Sequence, residues 1–408
     1  MSKTHNPPTD HHAAAPFVLT RRGFTLAAMS TAVLAACGGG GAGGSLAGIS
    51  TGGTGSFSSG TVRGFGSIIV NGIRYDDSRA NVFGDDGVTV GSSAVRLGMV
   101  VEVNGGGVTT DAAGVASATA NSVAIRSEIK GPVSAITGNT LTILGQQIQV
   151  ATGTVFDDNV GGLAAIRVND VLEVYGLMVS VGNYNATRVE RVTGVNANFK
   201  LRGVVSNLNA TNRTFNIGTV AVGYNAVTPS FTLQNGQFVR ATLSLVPGVN
   251  GVYQATSITN SATLAAAASN GLEAEVEGYV TAFTSSTSFS VNGVPVDARS
   301  ATRTPTTGLV LGAEVEVSGT VQNGVLVARE VKLEGASENE RFEVKGTMSL
   351  LNTQARTFVV RGVTVNYASA TFTRGTAATL ANGQTIEAKG MLGTDRVTLV
   401  ASEVKIDS

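Results

Sequence analysis

The sequence has no tryptophan, and its three histidines, His5, His11 and His12, all fall within the first 12 of 408 residues. It also has a single cysteine, Cys37. A body without imidazole lacks the usual general base near neutral pH. Ser-His-Asp and Cys-His arrangements are excluded, as is zinc held by His or Cys. One thiol makes no intramolecular disulfide. Only carboxylate, Lys, Tyr or Ser-Lys chemistries remain. A large charge of either sign is missing too, since 28 Lys and Arg face 28 Asp and Glu. Loss of Lys3, Arg21, Arg22 and Asp10 with an N-terminal leader would leave acidic residues ahead by about two. That balance argues against nucleic acid, whose binding rests on basic residues neutralising phosphates. No cofactor is expected from this inventory.

The opening of the chain carries an address. Arg21 and Arg22 precede an uncharged, apolar stretch from Gly23 to Ala36. A basic patch, a short apolar core and small residues before a cut site read as a secretory signal peptide over 1–36. The apolar run is too short to cross a bilayer, which takes ~20 residues. Leu34-Ala35-Ala36-Cys37 resembles the lipobox of bacterial lipoproteins. That resemblance implies that the Cys37 thiol is acylated and becomes the new N-terminus. Thr20-Arg21-Arg22-Gly23-Phe24-Thr25-Leu26 resembles a twin-arginine export signal, with Thr in place of the usual first Ser. Two arginines also serve an ordinary leader, so the export route stays open. Gly23-Phe24-Thr25-Leu26 is similar to a prepilin cleavage site, but Ala28 stands where that family has Glu.

Cys37 cannot be a buried core thiol, because four glycines follow it. Residues 37–59 read as the lipidated cysteine and a flexible tether, with ten Gly and five Ser over 38–59. Such a segment reaches ~25 Å root-mean-square. Gly38 is not the Asp associated with inner-membrane retention, so the expected location is the cell envelope, anchored at the outer membrane. The membrane face stays open.

What remains is repetitive. Five phrases share a glycine: Gly60, Gly131, Gly203, Gly278 and Gly346. A hairpin follows each, with Asn71-Gly72 and Asn292-Gly293 as strong two-residue turn signals. A corner comes next, bearing Phe83, Phe156, Phe231 or Phe372, with Arg303 in the fourth unit. Phrases such as "LGMVVEVNG" and "LGAEVEVSG" mark a fourth strand, and a fifth closes each unit. Glu314 to Val317 alternates with period two, as a half-buried strand does. A short helical or looped stretch between the third and fourth strands is expected, as at 376–384. The fold class expected is all-β: a tandem array of about five small five-stranded OB-like Greek-key barrels. The units read as 60–128, 129–198, 199–270, 271–339 and 340–408. The "ATLAAAASNG" segment at 262–271 reads as a short helix or linker, with freedom between units as the default. These G-x-V, F-x-V-x-G and G-x-x-V-E-V-x-G phrases behind a lipobox resemble a bacterial lipoprotein repeat family classed as a domain of unknown function. The resemblance spans 60–407 and implies a barrel fold, with no catalytic residues to carry over.

Three groups of side chains invite a functional reading. The recurrent Phe positions, with Phe215, Phe289 and Phe358 opening second strands, could stack sugars or bases; their place beside Val and Ile predicts core packing. Asp76-Asp77, Asp85-Asp86 and Asp157-Asp158 could offer calcium its oxygen ligands; without a repeated ligand spacing they read as solvated turns. Glu273, Glu275 and Glu277 share a strand face, as do Glu314 and Glu316, and paired carboxylates can cleave glycosides; the wet face of an antiparallel strand is the expected setting. The function expected is a non-catalytic, membrane-tethered binding or structural module of the envelope. Its partners would be the membrane, through the lipid, and an envelope glycan or protein. The alternatives are a carboxylate-based glycan hydrolase and an acidic-loop calcium or solute binder.

Overall fold

Five closed barrels account for the described chain, which a computed structural model covers at 56–194, 198–261, 270–335 and 341–407. Barrel 1 occupies 56–126, barrel 2 129–191, barrel 3 199–260, barrel 4 273–333 and barrel 5 341–407. Barrel 2 shows the plan most simply. Its strands are Ile129–Thr137, Thr140–Ile143, Gln146–Phe156, Val171–Ser180 and Asn183–Arg191. The first three form an antiparallel meander, the third pairs parallel with the fifth, and the fourth closes onto the first. The order 1-2-3-5-4-1 is that of an OB barrel, and all five units repeat it. Short 3-10 turns at Ser92–Ala94, Leu163–Ala165 and Ala377–Thr379 link third to fourth strands in barrels 1, 2 and 5.

The shared glycine has a steric cause. A Cβ on Gly60 would lie 2.0 Å from Asn71 Oδ1, and one on Gly278 would lie 2.3 Å from Asn292 Nδ2. In barrel 2 the intruder is Leu144, 2.7 Å from the equivalent point on Gly131. Asn71-Gly72, Leu144-Gly145 and Asn292-Gly293 each hold two residues at positive φ, the geometry of a tight hairpin turn. The turn's first side chain folds back over strand 1, and only glycine leaves room. A second glycine, in the "E-V-x-G" phrase, sits where the fourth strand bulges. A Cβ on Gly319 would fall 2.1 Å from the Val327 carbonyl oxygen, and one on Gly390 2.1 Å from that of Val400. These bulges bend the fourth and fifth strands around the barrel.

The barrels are not strung out. Closure leaves the first half of strand 1 with an open edge, and open edges invite pairing. In barrel 4, Glu273–Ser285 pairs at Glu273 to Val276 with Ser56 to Ser59 of barrel 1, in parallel. Gly64 and Phe65 of barrel 1 pair with Glu343 and Val344 of barrel 5. Ile129 and Lys130 of barrel 2 pair with Leu201 and Lys200 of barrel 3. Barrels 1, 4 and 5 therefore share one hydrogen-bonded sheet, and barrels 2 and 3 another. Free movement between units, the expectation from the linkers, is corrected by this pairing.

The tether expectation is also corrected at its end. Strand Ser56–Thr61 begins inside the segment assigned to the linker, and all six residues are buried. Phe57 is 1% exposed and packs into the hydrophobic cluster of barrel 4, with Val276, Val291 and Val317. Alternation places Phe57 on the core side, while Ser58 on the other side bonds the Tyr75 hydroxyl at 2.6 Å. Most of the 262–271 segment lies outside the described residues.

Candidate functional site

Cys37, Arg21 and Arg22 lie outside the described residues. The aromatic positions divide. Phe156, Phe215, Phe289 and Phe358 are buried in the barrel cores, while Phe83, Phe231 and Phe372 are half-buried. Phe231 and Phe372 pack against those cores. The outer face of strands 2 and 3 carries small polar groups instead: Thr140, Thr142, Gln147 and Gln149 in barrel 2, where the Thr140 hydroxyl donates to Gln149 at 3.0 Å.

Several buried charges lie between barrels. Asp85, expected in a solvated turn, is buried. Its carboxylate accepts from Lys200 Nζ at 2.8 Å and the Ser127 hydroxyl at 2.9 Å, and pairs with Arg240 at 2.7 Å. Burial works to raise this carboxyl, yet Arg240 and Lys200 together hold it below the ordinary range. Two charges of barrel 3 thus converge on one of barrel 1. Beside them Arg202 pairs with Glu128, which is 1% exposed; burial leaves the Glu128 carboxyl above its usual value despite the guanidinium. Asp76 and Asp86 do sit in turns, accepting from the backbone N–H groups of Ser78 and Val88. Asp157 pairs with Arg188, whose guanidinium also reaches the Leu97 carbonyl of barrel 1 at 3.2 Å.

The alternating glutamates of barrel 4 are the second correction. Glu275 and Glu277 are buried, not wet, because the first strand of barrel 1 covers them. Glu277 pairs with Arg63 and accepts from the Thr61 backbone N–H at 2.9 Å. Glu275 and Glu316 are neighbouring carboxyls on this face, and each acts on the other's ionisation. Burial raises both, and the second carboxyl raises Glu275 well above the usual range. Glu275 Oε2 has no partner among the described residues. One turn of the face away, Asn185 of barrel 2 donates to the Tyr279 hydroxyl at 2.7 Å, and Tyr279 donates to Glu314 at 2.9 Å. Burial and then Glu277 push the Glu314 carboxyl up to about 7.

Two neighbouring carboxyls shifted upward have the makings of acid–base chemistry, but the space beside Glu275 does not admit a substrate. The void beside Glu275 is about 10 Å³, lined by Phe57, Ser58, Ser318 and Arg329 among others. That is room for a single water at most. A broad valley of about 1220 Å³ does cross barrel 5, against the Gly72 turn of barrel 1, with Asn366, Met391 and Val400 on its floor. Its carboxylates are occupied: Glu343 is held by both Arg74 nitrogens at 2.6 and 2.7 Å, and Asp395 by the Thr398 hydroxyl and two backbone N–H groups. Among the described residues no group of three acidic, His or Cys side chains could hold a metal ion.

The repeated barrels have a counterpart among known families. Three segments match the model named Domain of unknown function (DUF5666). They cover residues 130–190, 277–332 and 345–405, which are barrels 2, 4 and 5. Barrels 2, 4 and 5 are thus each similar to that domain, and barrels 1 and 3 share their strand order outside the matched segments. No catalytic family is indicated. Among curated proteins, none matches the chain. Among solved structures, "drosophila Unr CSD456" is similar at 16% identity, covering 42% of this chain and 83% of that one, with a TM-score of 0.14.

Sequence reasoning missed the inter-barrel role of these charges. A signal was present in the residue before the shared glycine: Lys130, Arg202 and Lys345 in three units and Ser59 in barrel 1, but Glu277 in barrel 4. Arg202 and Glu277 pair outside their own barrels, whereas Lys345 pairs with Glu387 and Asp407 within barrel 5.

Proposed function

We propose that this protein is an exported, lipid-anchored and non-catalytic assembly of DUF5666-type barrels, serving as a binding or structural module of the bacterial envelope. The observation that carries the reading is the fate of the buried charge. Asp85, Glu128, Glu275 and Glu277 all lie in seams between barrels, and the void beside Glu275 is too small to admit a substrate. Ionisable groups are used here for assembly, not turnover. The leader with Arg21 and Arg22, and Cys37 behind it, support anchoring at the outer membrane. The outward faces of Thr, Gln and Asn suit an uncharged envelope partner, glycan or protein, better than nucleic acid.

Intact mass of the mature chain tests this directly. A diacylglyceryl-modified N-terminus at Cys37 is expected, and Cys37→Ser should move the protein from the membrane to the soluble fraction. An unmodified mature chain, or measurable turnover of envelope polysaccharide that Glu316→Gln abolishes, would remove the reading.

A further inference from the structure

From Arg191 to Leu272 the chain contains no aspartate or glutamate, and past Arg240 this stretch contains no charge at all. The three basic residues Lys200, Arg202 and Arg240 are turned into the seams described above. That leaves Arg213, which is folded back onto the carbonyls of Tyr224 and Val227. Barrel 3 therefore shows water an almost uncharged surface.

At one end of it, the connection between fourth and fifth strands forms a projecting apolar tip over 244–252. Val246 is 73% exposed, Val249 85% and Leu245 39%. The tip is tightly built. The Ser244 N–H donates to the Gln254 carbonyl at 2.8 Å, the Gly248 N–H to the Val252 carbonyl at 2.8 Å, and the Ser244 hydroxyl to the Val246 carbonyl at 2.9 Å. Asn250 and Gly251 take positive φ to complete the turn. The valines are thus held outward by an ordered hairpin. The same connection in barrel 4 is Asn323-Gly324, and in barrel 5 it contains Asp395 and Arg396.

We propose that the 244–252 tip of barrel 3 dips into the headgroup region of a lipid bilayer, as a second, reversible contact beside the anchor at Cys37. The choice of a bilayer rests on the reading that the chain is membrane-held, and on chemistry. A convex tip of three aliphatic side chains has none of the aromatic or arginine anchors on which protein interfaces depend. The stretch 241–272 carries no charge, which lowers the desolvation cost of entering the interface, and barrel 3 has no acid of its own to be repelled by anionic lipids. Three aliphatic residues hold only reversibly, so the contact orients the body while the lipid retains it.

Because Cys37 is the only cysteine, the full chain carrying Cys37→Ser accepts a single environment-sensitive fluorophore at Val249→Cys or, as a control, at Asn323→Cys. Vesicles of phosphatidylethanolamine with a minority of phosphatidylglycerol are then added. A blue shift and several-fold rise in emission at 249, absent at 323 and lost with Val246→Asp, is the expected result. No change at 249, or an equal change at 323, overturns the proposal. So does a change produced by detergent-extracted envelope proteins but not by vesicles, which would make the partner a protein. Acylation at Cys37 is read separately by mass, so failure of the tip and failure of the anchor are distinguishable.

Discussion

Barrels 3 and 4 share a strand order and differ in their charge. Barrel 3 has no acid and sends its cations outward to Asp85 and Glu128 of its neighbours. Barrel 4 sets Glu275, Glu277, Glu314 and Glu316 on one face of two strands, with Glu277 opposite Glu316. It accommodates them partly through Arg63 of barrel 1 and partly because burial favours the protonated carboxyl. The same scaffold thus joins its neighbours in two ways. One seam is ionic and complementary, while the other depends on protonation.

Breaking the ionic seam should have the largest effect. Asp85→Ala removes the ion-pair partner of the buried Arg240 and leaves Lys200 with Glu173, and an orphaned buried charge costs about 3–5 kcal/mol. A denaturant midpoint that moves by much less would show that water reaches the pair and that barrel 3 is held by other contacts.

The protonated seam differs in its response to pH. Glu314 titrates near 7 in the folded chain and near 4.3 once unfolded. The folded state then binds more protons between those values, so stability is full below about 4.3 and falls as pH rises towards 7. The expected slope is up to about 1.4 kcal/mol per pH unit for each such group. Glu316→Gln supplies a neutral partner to Glu275, so the variant should lose less stability than the parent between pH 5 and pH 7.5. Parallel curves for the two proteins would show that Glu316 does not carry this pH dependence.

Smaller effects test the barrel plan itself. Gly278→Ala in barrel 4 drives a Cβ into Asn292, and overpacking of this kind costs about 1–3 kcal/mol. Asn292→Ala in the same chain should recover part of that loss, because it removes the obstruction. Smallest of all, Arg299→Ala should leave the thermal midpoint unchanged, since the Arg299–Asp297 pair lies on the surface with the arginine 79% exposed.

How much of this was legible can be read from individual residues. The five units, their strand count and the hairpin turns at Asn71-Gly72 and Asn292-Gly293 follow from period-two alternation and turn chemistry. Those are local properties, written within a few residues of each other. The core placement of Phe215, Phe289 and Phe358 followed in the same way, from their position beside Val and Ile. Glu275 was misread for an equally physical reason. Alternation shows that Glu273, Glu275 and Glu277 share a face, but not whether another barrel covers it. Phe57 was misread because the low-complexity glycine and serine around it outweighed a single apolar residue whose cluster lies more than 200 positions away.

The sequence by itself determined the barrel, its repetition and the narrow range of chemistry left without imidazole or a second thiol, because propensity, periodicity and residue inventory are additive along a chain. Only the tertiary structure decided which open half-strands would pair, that Asp85 would face Lys200 and Arg240, and that burial would push the Glu275 and Glu316 carboxyls up. Those outcomes depend on burial and on charges brought together from distant segments, and neither is a property of any one stretch of residues.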